Sequence, residues 1–166
     1  MLNAVADDLA RTIEQASDEL RAIDEATAAS KPASGAWSIK EILGHLVDSA
    51  ANNHHRFVRA QQVEAFSFPG YEQEAWVRSQ GYQHEPWTDL IELWRAYNRH
   101  LAHVMRRIPE AAASVPCRIG TGEAVSLGFI AEDYVVHLRH HLTQIRDRRA
   151  GDEARRVHRR WDVAES

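Results

Sequence analysis

The 166-residue sequence has one cysteine, Cys117, so no internal disulfide can form and a reducing compartment is permitted. It has no apolar stretch near the roughly 18 residues that a membrane span needs. Its first eleven residues mix alanine with Asp7 and Asp8 and lack the apolar core of a signal peptide. The expected location is therefore cytoplasmic, with no membrane partner. No sign of charge dominates either: the net charge is -4, which gives no case for a nucleic-acid partner. Prolines are few, and they and the glycines gather mainly around Pro32–Gly35, Pro69-Gly70, Pro86, Pro109 and Pro116–Gly122. The stretches between these breaks are long enough for long helices.

What is present is an ordinary globular composition, 44% apolar and 27% charged, at a length that suits one domain. Apolar residues recur in steps of three and four at Val5, Leu9, Ile13, Ala16, Leu20 and Ile23, which predicts a helix from about Val5 to Thr27. Ser38-Ile39-Lys40-Glu41 has the form of a capping box and opens a second helix to about Val63, with Ile39, Ile42, Leu43, Leu46, Ala50 and Phe57 on its core face. Tyr71–Ser79 reads as a short helix or an ordered loop. A third long helix follows Pro86, carries Leu90, Trp94, Tyr97, Leu101, Val104 and Ile108, and ends at Pro109. Residues 110–123 read as an irregular connection with short extended pieces near Cys117–Ile119. Ser126 caps a fourth helix with Leu127, Ile130, Tyr134, Leu138, His141 and Ile145. No run alternates long enough to predict a sheet, so the expected fold class is all-α, a four-helix bundle. Its expected extent is residues 1–150, with a basic tail over 151–166; beyond Arg146 the chain is expected to fray or to pack loosely.

The chain has ten histidines. On a helical wheel with Leu127 at zero, Leu138 falls near about 20° and Tyr134 near about 340°. His137 and His141 fall near about 280° and 320°, within the same apolar arc, whereas His140 falls on the flank. Two imidazoles four residues apart on one face can bind one metal from a single helix. They can also be ordinary buried histidines, and spacing alone does not choose. His45 lies at the edge of the apolar arc of the second helix, on a polar stripe with Glu41, Asp48 and Asn52, and by itself reads equally as a solvated boundary residue. His54, His55, His84, His100, His103 and His158 read as surface or boundary residues.

The ordered set Trp37-Ser38-Ile39-Lys40-Glu41-Ile42-Leu43-Gly44-His45-Leu46-Val47-Asp48-Ser49, followed by His137-Leu138-Arg139-His140-His141-Leu142-Thr143-Gln144-Ile145, resembles the DinB-like superfamily. The likeness is to its branch of YfiT-like metal-dependent hydrolases and extends from about Ala4 to Arg149. It implies a four-helix bundle in which His45, His137 and His141 hold a divalent metal, zinc or nickel ahead of iron or manganese. It also implies a small-molecule substrate and a homodimer.

Three imidazoles leave coordination positions open, which suits a reactive site. A metal there would activate water for hydrolysis or a low-molecular-weight thiol for transfer to an electrophile. The leading expectation is thiol S-transfer, with hydrolysis next and a metal-binding module without turnover as the third. Asp48 and Gln144 are placed to orient the imidazoles or a bound water from one layer out. Glu41 has a sufficient role as a cap, and Arg56 and Arg59 read as a solvated face rather than as contacts to an anionic substrate. Gly120-Thr121-Gly122 lacks the third glycine and the setting of a phosphate loop. Cys117 has no nearby histidine in sequence to activate it.

Overall fold

The computed structural model describes residues 2–164, with side chains through Glu153. Four long helices dominate: α1 (Asn3–Arg21), α3 (Ile39–Arg59), α5 (Trp87–Arg107) and α7 (Leu127–Ala164). Three short ones join them: α2 (Glu25–Ala29), α4 (Gln73–Gln80) and α6 (Glu110–Ala113). Both α1 and α3 pack against α5 and α7. The fold is the expected four-helix bundle, and the expected apolar stripes face its core. Leu9 and Ile13 of α1, Ile39, Ile42, Leu43 and Leu46 of α3, Leu90, Trp94 and Leu101 of α5, and Leu127 and Leu138 of α7 are all buried.

The ends of the helices follow their caps. Ser38 accepts from the Glu41 amide while Glu41 accepts from the Ser38 amide, completing the capping box that fixes the start of α3. Ser126 Oγ accepts from the Phe129 amide at the start of α7. The first helix stops at Arg21, earlier than its apolar spacing predicts. Asp24 caps α2 by accepting from the Thr27 amide at 2.7 Å, and the indole N–H of Trp87 donates to the carbonyls of Leu20 and Ile23. Those contacts hold the turn in which the chain leaves α1.

One further expectation fails. A small sheet is present after all: β1 (Phe66–Phe68) pairs in parallel with β2 (Pro116–Ile119), with Phe66 opposite Cys117, and β2 pairs antiparallel with β3 (Val125–Ser126). Its strands are too short for alternation to register. The backbone of α7 runs on to Ala164 without a break at residue 150, where the basic tail was expected to begin. Of the expected basic tail, the side chains beyond Glu153, His158 among them, lie outside the described residues. No helix among the described residues is long and apolar enough to cross a membrane.

Candidate metal centre

Two helices that pack on each other, α3 and α7, bring three histidines together. The capping box sets the start of α3, and His45 follows two turns in, fully buried. His137 and His141 project from one face of α7 and are half-buried. The Nε2 atoms of His45 and His137 are 3.4 Å apart, and those of His141 and His137 are 3.2 Å apart. One ring nitrogen from each of the three lies within 4.8 Å of the others. Each pair of rings meets edge to face, at 72° or 73°.

The site keeps these rings neutral. Burial first, and then the neighbouring imidazoles of His141 and His137, push the pKa of His45 down to about 3. Burial and His141 bring His137 down to about 4, against the opposing pull of Asp133. Burial lowers His141 as well, opposed by its hydrogen bond to Gln144. Neutral imidazoles offer a lone pair to a Lewis acid at physiological pH.

Gln144 lies beside the triad on α7. Its Oε1 accepts from His141 Nδ1 at 2.9 Å, which holds the proton on Nδ1 and leaves Nε2 free to face the other two rings. Asp48 does something else. It is fully buried, and its Oδ1 accepts from the Tyr82 hydroxyl at 2.7 Å and from the Gln80 amide. No described hydrogen bond joins it to an imidazole, and its Oδ2 has no partner. Burial raises its pKa. Asp48 therefore ties α3 to the end of α4 and the turn that follows it. Glu41 is fully engaged as a cap and in an ion pair with Lys31.

Several residues around the site escaped the sequence reading. The Trp37 ring lies 5.1 Å from the His45 ring, and its indole N–H donates to Glu74. Arg148 of α7 donates to the Trp37 carbonyl at 2.7 Å, which anchors that cover. Gly44 leaves room for the Tyr82 ring, since a Cβ there would lie 2.1 Å from Tyr82 Cδ2. That close approach lets Tyr82 reach Asp48. A glycine inside a strongly amphipathic helix was the available signal for it.

The other histidines do not join the centre. His140 is exposed on the flank, as the wheel placed it. His54 contacts the Tyr97 hydroxyl and the His100 ring, and His55, His84, His100 and His103 are exposed. Burial raises the Cys117 thiol pKa, in line with an unreactive side chain.

A family model described as the DinB superfamily matches residues 4–145. The chain belongs to the DinB superfamily. Among solved structures, the chain is similar to YfiT from Bacillus subtilis, described as a probable metal-dependent hydrolase with an unusual four-helix bundle topology. The two share 18% identity with a TM-score of 0.75, over 89% of this chain and 83% of that one. At that identity the likeness establishes the fold. No curated protein matches the chain. The three histidines of this DinB-superfamily member thus sit on two helices of a bundle it shares with YfiT.

Proposed function

We propose that the protein is a metal-dependent enzyme in which His45, His137 and His141 hold one divalent ion, zinc or nickel ahead of iron or manganese. The observation behind this reading is the spacing of the donors. Four-coordinate tetrahedral nitrogen ligands at about 2.0–2.1 Å have edges of about 3.3–3.4 Å, and His137 Nε2 lies 3.4 Å from His45 Nε2 and 3.2 Å from His141 Nε2. Without a shared cation the three ring nitrogens would face one another with too few protons to satisfy them all. When bound, the ion supplies a Lewis acid that lowers the pKa of a thiol or water at an open coordination position.

Between those two nucleophiles the surroundings favour a low-molecular-weight thiol. Activated water is best served by a general base in hydrogen-bond reach; Asp133, which shares a cavity with His137, is exposed and makes no described hydrogen bond to the triad. A thiol is already far more acidic than water. In the transfer, the thiol proton leaves to solvent, a sulfur–carbon bond forms, and the bond to the leaving group of the electrophile breaks. Gln144 holds the His141 ring in its ligating tautomer, and Trp37 limits water at His45.

The hydrolytic reading retains the description of YfiT as a probable metal-dependent hydrolase. A non-catalytic metal-binding module is disfavoured by the cavity whose wall includes His137. The test is to load the protein with zinc or nickel and supply cysteine with a chlorinated aromatic electrophile, alongside a nitrophenyl ester. The proposal expects metal-dependent thiol conjugation that His137→Ala abolishes. Ester hydrolysis alone would select the other nucleophile, and neither reaction with the substrates tried would count against both.

A further inference from the structure

A cavity of about 310 Å³ lies beside the triad, between α3, α7 and the Gly70-Tyr71 segment, with His137 in its wall. Arg56 lines it from α3 and is only 8% exposed. Surface arginines such as Arg21, Arg106 and Arg146 pair with Glu92, Asp7 and Glu19. None of the described ion pairs includes Arg56.

The contacts of Arg56 are modest for a buried charge. One guanidinium nitrogen donates to Asn53 Oδ1 at 3.2 Å. The guanidinium lies 5.1 Å from the centre of the Phe68 ring. Its Nε is buried without a partner. A guanidinium stays charged when buried, and a buried charge short of partners is expensive. The arrangement makes sense if a ligand completes it.

We propose that this cavity binds the carboxylate of a small organic acid on Arg56, with the reactive end of that molecule at the imidazole triad. The assignment rests on the metal-dependent reading for the reactive end only. Guanidinium matches carboxylate as a two-pronged pair. A monoanion fits better than a phosphate dianion, because Asp133 lines the same cavity and only one arginine is present to balance charge. The Tyr71 hydroxyl, whose pKa burial pushes up to about 12, stays protonated and adds a donor. Ile119, Phe129 and Ile130 supply apolar walls for the body of the acid. Eleven residues separate His45 from Arg56, about 16 Å of helix rise, and the arginine side chain leans back toward the triad. The ligand is therefore elongated, with its carboxylate and its reactive atom at opposite ends.

The experiment is isothermal titration of the full chain, as purified and after chelation, with butyrate, its neutral isostere butyramide, and inorganic phosphate. Butyrate should bind at least tenfold more tightly than either alternative. Arg56→Gln should abolish that preference, and Arg56→Lys, which keeps the charge without the planar fork, should lose several-fold. Arg59→Gln, on an exposed neighbour, should leave butyrate affinity within twofold. If Arg56→Gln fails to fold by circular dichroism, Arg56→Lys decides. Equal binding of butyrate and butyramide, no binding of butyrate, a phosphate preference, or an Arg56→Lys variant matching wild type would overturn the proposal. Metal content is measured on the same samples. Wild type that carries no metal as purified from metal-replete medium, yet still selects butyrate, would remove the metal reading while keeping the carboxylate site.

Discussion

Replacing Gly44 by alanine should destabilise this protein, although the same change in the middle of most helices stabilises them. Alanine gains about 0.8–1.0 kcal/mol of intrinsic helix propensity over glycine. At position 44 the new methyl would lie 2.1, 2.2 and 2.7 Å from three carbons of the Tyr82 ring. Tyr82 is 3% exposed and cannot swing aside freely, and overpacking a buried site costs about 1–3 kcal/mol. A displaced ring would also withdraw its hydroxyl from Asp48, where it donates at 2.7 Å. Leaving a buried carboxylate short of a donor costs about 1–3 kcal/mol more. Taking the upper half of each range against the propensity gain, the net loss is about 3–5 kcal/mol. Urea denaturation of metal-free protein measures it directly. The double variant Gly44→Ala/Tyr82→Ala should show strong coupling, with alanine at 44 becoming neutral or stabilising once the ring is gone. A Gly44→Ala protein as stable as wild type would refute the packing argument and the positioning of Asp48 with it.

Gln144→Leu should weaken metal affinity about 10–100-fold while leaving the helix content unchanged, because His141 loses the acceptor that fixes its tautomer. Competition against a chromophoric chelator reads this, and unchanged affinity would contradict it. The metal-free protein should lose stability as pH falls from about 6.5 toward 4. His45 and His137 are depressed to about 3 and 4 when folded, so the unfolded chain takes up protons first and their contribution, full above the unfolded pKa of about 6.5, is lost with falling pH. Chevron or equilibrium unfolding across that range tests the slope, and a flat profile would contradict it. Glu41→Ala removes half of the capping box and the Lys31 ion pair; a loss of about 1 kcal/mol is expected by thermal denaturation.

The helices that carry the site were legible because their apolar stripes and caps agree, as at Ser38–Glu41 and along Leu127–Ile145. The four-residue spacing placed His137 and His141 on one face of their helix, and only the resemblance drew them together with His45. His45 was harder, since its neighbours Asp48 and Asn52 read as a solvated stripe yet are buried. Asp48 is covered by Gln80 and Tyr82, more than thirty residues later in the chain, and local periodicity holds no trace of that contact. Arg56 was read as solvated for the same reason: Phe68 of β1 lies against it, and β1 forms only by pairing with β2 some fifty residues on. The early end of α1 depends on Trp87, which reaches back to Leu20 and Ile23. In each case the missing information is a long-range partner.

The most direct test of the central claim is metal content per chain, by elemental mass spectrometry, on tag-free protein grown in metal-replete medium, beside His45→Ala, His137→Ala and His141→Ala. The account predicts close to one divalent ion per chain in wild type, and its loss in each variant with circular dichroism unchanged. A metal-free wild type, or folded variants that retain the ion, would contradict it.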